Sequence, residues 1–227
     1  MRREDDAREH LRPGAETALA TLGRGFLAHP DNHPLRAALT TGALSPRDFF
    51  TQLLRLVFRL IFLRIVEARD LLHPAGTGDA ARALYAREYG LARANERDAD
   101  SWQTTRLVSR GLAAGDPRLG LPPFAGLFAA NQCPALDTAS LDNSSLLLAL
   151  ANLGHHDWRD MPPERLGRIY ETLLELVPVV STTSFTFATG DATRGNARKT
   201  SGSYYTPDSR VRLLPDGALE PLIAEHI

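Results

Sequence analysis

Apolar residues run almost without a break from Phe49 to Val66, while Asp48, Gln52, Arg55 and Arg59 recur at helical spacing. That pattern predicts a helix from Pro46 to Leu72, apolar on most faces and marked by one polar stripe. Its start is written locally. Ser45 suits the N-cap, Pro46 the first helical position, and Asp48 the capping-box position that reaches back. Its end is expected just before "HPAGTG", where Pro and Gly break a helix. Residues 15 to 28 predict an earlier helix, ended by "HPDNHP", and residues 79 to 113 predict one or two more, stopping at "AAGDPRLGLPP". Shorter helices are expected at 123 to 130, at 142 to 153 with Asp142 as cap, and at 163 to 176.

After Pro178 the period changes. "VVSTTSFTFAT" is β-branched and aromatic, with Phe185 and Phe187 alternating against threonines, and it predicts a strand. "GDATRGNARKTSG" then reads as a loop. From Ser181 to Arg212 there are five basic residues (Arg194, Arg198, Lys199, Arg210, Arg212) against two acidic (Asp191, Asp208), a local charge of +3. No internal repeat is visible. The pattern divides the chain into a mainly α, multi-helix domain over 1–178, a strand and basic loop over 179–197, and the start of something different over 198–227.

Composition narrows the function classes. The 227 residues are 43% hydrophobic and 23% charged, as in a globular protein with a real core. The net charge of −1 gives no global reason to expect a nucleic-acid or membrane surface. Arg55, Arg59 and Arg64 interrupt the most hydrophobic run, which rules against a bilayer span. Met1–His10 has no apolar core and does not read as a signal peptide, so the cytoplasm is the expected compartment. A single cysteine, Cys133, excludes an intrachain disulfide and a cysteine-rich zinc site.

Most candidate chemistry is outweighed by plainer roles. His155-His156-Asp157 and the trio His29, Asp31, His33 read as polar turns, and no metal site is expected. Cys133 reads as a small packed residue instead of a nucleophile. Asp137 and Asp142 form a candidate carboxylate pair that turn and cap roles also explain. Arg55, Arg59 and Arg64 suggest a grip on phosphate, but a solvated stripe or interior salt bridges with Glu67 and Asp70 fit the pattern better. No phosphate-cradling glycine loop of the Walker or Rossmann pattern appears.

"RKTSGSYYTP", residues 198 to 207, is different, and it holds Lys199, the chain's only lysine among 26 basic residues. Gly202 permits positive φ, Ser203 and Thr206 offer hydroxyls, and Pro207 fits the first turn of a helix capped by Thr206. The free N–H groups of such a helix start suit a carboxylate. A capped helix with Tyr204 and Tyr205 as packing explains the residues equally well, and the two readings stay open on the residues alone.

The stretch resembles a signature of adenine-specific DNA methyltransferases in fused restriction-modification enzymes, the Type IIG group and its phage-defence relatives. Their form is Arg-Lys-x-x-Gly-Ser-Tyr-Tyr-Thr-Pro, met here by Arg198, Lys199, Gly202, Ser203, Tyr204, Tyr205, Thr206 and Pro207. Upstream, "LGRIYETLLEL" (Leu166 to Leu176) is similar to the helix that precedes the signature in that family, and Gln52 to Leu72 to its long buried helix. The resemblance implies methyl transfer from S-adenosylmethionine to the amino group of an adenine flipped out of double-stranded DNA. By it, Gly202, Ser203, Tyr205, Thr206 and Pro207 are cofactor-binding, with Thr206 the foremost contact at the methionine end. Arg198 and Lys199 are the implied nucleic-acid contacts.

The departures set the expectation for this chain. Leu121-Pro122-Pro123 and Met161-Pro162-Pro163 lack the Asn of the catalytic Asn-Pro-Pro-Tyr motif, and no glycine-rich cofactor loop occurs. The expected fold is therefore a multi-helix N-terminal domain, a short strand and loop, and the first element of an α/β methyltransferase domain that is not present. No catalytic residue is assigned, the cofactor site is incomplete, and the chain alone is expected to be inactive. The implied partners are double-stranded DNA and the missing methyltransferase portion or a partner subunit, with no membrane. A non-catalytic helical module that binds DNA or a partner in a defence system is the alternative. Residues 190 to 227 are expected to be mobile.

Overall fold

The computed structural model describes residues 2–96, 100–154 and 156–188, the side chains of 2–10 and 96 excepted. It is mainly helical, with seven α-helices and one two-stranded sheet among the described residues. The helices are α1 (Arg2–Ala28), α2 (His33–Thr41), α3 (Pro46–Ala68), α4 (Asp79–Glu88), α5 (Ser101–Ala114), α6 (Asn143–Asn152) and α7 (Pro163–Leu174). The chain separates into two compact units. One is Met1–Asp160 with Pro178–Ala188, and the described part of the other is Met161–Val177, which holds α7.

The central helix α3 starts as its sequence demands. The Ser45 Oγ accepts the Asp48 N–H at 3.0 Å and donates to the Asp48 carboxylate at 2.7 Å, with Pro46 at the first helical position. Its end comes at Ala68, four residues before the expected Leu72, and "HPAGTG" is not the cause. Asp70 takes a left-handed conformation (φ 53°), so the Leu71 N–H reaches the Val66 carbonyl at 2.9 Å and the Asp70 N–H reaches Glu67 at 3.2 Å. That is a Schellman stop, with Asp in the place glycine usually takes.

Helix α1 runs through Pro13, thirteen residues ahead of the expected start at 15. A helical proline forfeits one hydrogen bond, but Leu11, Ala15, Ala18, Leu19 and Leu22 are fully buried and hold the turns on either side of it. Gly14, Ala18, Thr21 and Gly25 form one ridge of small residues along α1, and α6 lies antiparallel on it. A Cβ at Gly14 would collide with the Asn152 carbonyl, and one at Gly25 would stand 2.7 Å from Ser145. Close approach of the two backbones, not torsional freedom, is what these glycines provide.

Helix α2 lies where the sequence predicted only a break. Its Arg36 donates to the carbonyls of Leu27 (2.9 Å), His29 (2.7 Å) and Pro30 (3.0 Å), satisfying carbonyls at and just beyond the C-terminal end of α1. Residues 79 to 113 divide into α4, a 3-10 turn (Leu91–Glu96) and α5. The expected helix at 123–130 shrinks to a 3-10 turn, Gly126–Phe128, because the Phe124 and Ala125 N–H groups both bond the Leu112 carbonyl at the end of α5. Asp142 occupies the N-cap position of α6 but makes no capping bond; its carboxylate stands 3.6 Å from His29 Nε2. The expected helix at 163–176 is present as α7, with Pro163 in its first turn and Ile169 and Leu173 buried.

The single strand expected over 179–189 is a hairpin of β1 (Pro178–Val180) and β2 (Phe185–Phe187), antiparallel with Val179 opposite Thr186. The run Ser181–Ser184 closes the turn, since the Ser181 Oγ accepts the N–H groups of Thr183 (3.3 Å) and Ser184 (3.0 Å). Phe185 is fully buried, edge-on to Phe49 at 5.8 Å, and its ring fills the space a Cβ on Gly23 would need. No described helix is long and apolar enough to cross a membrane.

Candidate functional site

The residues singled out for the cofactor (Gly202, Ser203, Tyr205, Thr206, Pro207) and for nucleic acid (Arg198, Lys199) lie outside the described residues, as does the 190–227 tail. Within the described chain, polar chemistry concentrates where the stripe of α3 meets the irregular segment 126–139.

Arg59 of that stripe is neither solvated nor paired with Glu67 or Asp70. The Arg59 side chain is 1% exposed. It donates from Nε to the Leu127 carbonyl (2.9 Å) and from Nη1 to Asp137 (2.7 Å), with its guanidinium over the Phe128 ring at 5.7 Å. Arg55 donates to the Gln132 carbonyl at 2.8 Å, and the buried Gln52 Oε1 accepts the Ala135 N–H at 2.8 Å. Three long polar side chains of one helix thus supply the hydrogen bonds that a loop without regular structure cannot make for itself. Glu67 is engaged elsewhere, accepting from the Tyr85 hydroxyl (2.7 Å) and the Leu91 N–H (2.8 Å), while exposed Asp70 pairs with Arg82 at 3.3 Å. Burial lowers the Arg64 pKa, and Glu67 opposes that shift.

On the far side of the same loop, α5 opens a cavity of about 280 Å³ lined by Arg106, Ser109, Arg110, Phe128, Asp137 and Thr138. Arg106 is anchored by one bond to the Ala139 carbonyl (3.2 Å), which also accepts the Trp102 Nε1–H at 2.9 Å. Among the described residues the buried Arg106 Nε has no hydrogen-bond partner. Burial first, then the neighbouring Arg110 guanidinium, lower the Arg106 pKa, and Asp137 and Asp100 oppose them. The signal for this pair lies in the sequence of α5, which carries arginines at i and i+4 and no acidic residue.

The other candidates resolve into structural roles. Cys133 is fully buried, its thiol donating to the Gln52 carbonyl at 3.5 Å, and burial pushes its pKa up to about 12. A thiol held neutral in this way is no nucleophile. Asp137 belongs to Arg59 and Asp142 stands beside His29, so they are not a working carboxylate pair. His29 Nδ1 accepts the Asp31 N–H at 3.3 Å, and His33 Nδ1 lies 3.2 Å from Arg36 Nη2. His155 lies outside the described residues; His156 meets Trp158 edge-on at 5.3 Å, and Asp157 accepts the Arg159 N–H at 3.0 Å in a local turn. No group of three or more His, Cys, Asp or Glu among the described residues is placed to hold a metal ion. No family model, no curated protein and no solved structure matches this chain.

Proposed function

We propose that the chain is the N-terminal portion of an adenine-specific DNA methyltransferase of a restriction-modification or phage-defence system. The observation that carries the reading is the signature Arg198, Lys199, Gly202, Ser203, Tyr204, Tyr205, Thr206, Pro207, preceded in the family's order by Leu166–Leu176. That upstream run falls largely within α7, as a helix at this place in the family requires. The residue types suit the amino-acid end of S-adenosylmethionine: Ser203 and Thr206 bring hydroxyls, and Thr206-Pro207 is a sequence that can start a helix, whose first N–H groups favour a carboxylate. The cofactor supplies the methyl group. The chain's own residues only bind and orient, because the 227 residues hold neither a glycine-rich cofactor loop nor Asn-Pro-Pro-Tyr.

Reconstitution tests this. The chain is co-expressed with a polypeptide carrying those two motifs, encoded immediately downstream or by a partner, and tritiated methyl transfer to adenine in duplex DNA is measured. Transfer that needs both polypeptides, and that falls about tenfold or more on Thr206→Ala through loss of a hydrogen bond to a charged group, supports the reading. Absence of the motifs from both sources overturns it and leaves the non-catalytic DNA- or partner-binding module.

A further inference from the structure

We propose that the α5 cavity is a phosphate-binding pocket, with the Arg106 and Arg110 guanidiniums as its anion clamp and the Ser109 hydroxyl as a third donor. The inference stands apart from the methyltransferase reading and uses different residues.

Arg106 and Arg110 are one turn apart on a helix that contains no Asp or Glu, an arrangement in which like charges repel. Asp137 does not neutralise both, because its carboxylate is held at 2.7 Å by Arg59, so that pair is already balanced. Asp100, the other carboxylate acting on Arg106, is exposed and committed to the Gln103 N–H at the start of α5. The pocket wall therefore carries a surplus of two positive charges.

Unused donors point the same way. Two guanidiniums offer ten N–H groups. Among the described residues their one hydrogen bond is from Arg106 to the Ala139 carbonyl. Among those same residues Arg110 has no ion pair or hydrogen bond, the buried Arg106 Nε has no partner, and the Ser109 hydroxyl on the same wall makes no hydrogen bond. A buried donor left unmade is costly, and forked guanidiniums match the oxygens of a phosphate. A phosphate dianion also balances the two surplus charges, where a carboxylate balances only one. Phe128 and Pro134 close the apolar side of the cavity and favour whatever the phosphate is attached to.

The test is a titration of the whole chain with inorganic phosphate, read as the shift in Tm and by calorimetry, against chloride at matched ionic strength. Phosphate is expected to raise Tm where chloride does not. Arg106→Gln and Arg110→Gln are each expected to weaken binding about tenfold or more, as loss of a hydrogen bond to a charged group does. Arg110 is exposed, so Arg110→Gln keeps the test valid if Arg106→Gln folds poorly. A second arm adds a blunt duplex without terminal phosphates. Competition with phosphate, and a salt slope reduced by about one in Arg110→Gln, assign the pocket to the DNA backbone. No competition assigns it to a small phosphate. Equal response to phosphate and chloride, or unchanged phosphate affinity in the folded Arg110→Gln variant, overturns the proposal.

Discussion

Arg59 is the largest fully buried side chain of the described residues, and it is charged. Burying a guanidinium is tolerable only when its donors are used, and here Leu127 and Asp137 use them. Truncation to Met keeps the stem but strands the loop's carbonyl and a partly buried carboxylate. Arg59→Met and Asp137→Asn are each expected to cost about 3 kcal/mol in chemical denaturation. Losses below about 0.5 kcal/mol for both would show that the loop holds itself. Cys133 offers a second residue-scale test. Its pKa is raised from the ordinary 9.0 to about 12 by burial. Below pH 9 both folded and unfolded chains keep the proton, so the contribution is fully present. Between 9 and about 12 the unfolded chain loses it first, so stability falls as pH rises. Cys133→Ala should remove that part of the slope, and the native thiol should resist alkylation at pH 8 until the chain unfolds.

At the scale of elements, α1 and α6 approach so closely that glycine is required at Gly14 and Gly25. Gly14→Ala and Gly25→Ala are each expected to destabilise by about 2 kcal/mol. Gly78→Ser, at the open N-cap of α4 with nothing within 4 Å, should instead stabilise by a few tenths of a kcal/mol. Thermal melts of the three variants check the ordering, and equal effects at all three positions would refute the close-packing account. The starts of elements were legible where their chemistry is local. Ser45, Pro46 and Asp48 stand within four residues of one another. The end of α3 was not legible, because its left-handed stop uses Asp70 and not glycine. Nor was α2, a nine-residue helix set among prolines whose worth lies in Arg36 closing the end of α1.

For the whole molecule, the helical character followed from periodicity, but what holds the irregular segment did not. Arg59 and Asp137 are 78 residues apart, and nothing at either position names the other. The polar stripe of α3 was visible as a pattern, while its covering by a loop required the fold. The arginine pair of α5 was visible as spacing, yet it became a pocket only when Asp137 proved to be taken. The signature at 198–207 was legible in the opposite sense, through a resemblance, and it lies outside the described residues. Under the proposed reading, this chain contributes the entrance of a cofactor site and none of its catalytic groups. Calorimetric titration with S-adenosylmethionine tests it most directly, on the chain alone and on the chain reconstituted with a polypeptide carrying the glycine-rich loop and Asn-Pro-Pro-Tyr. The account predicts no sub-millimolar binding alone and clear binding once reconstituted; sub-millimolar binding by the isolated chain would contradict it.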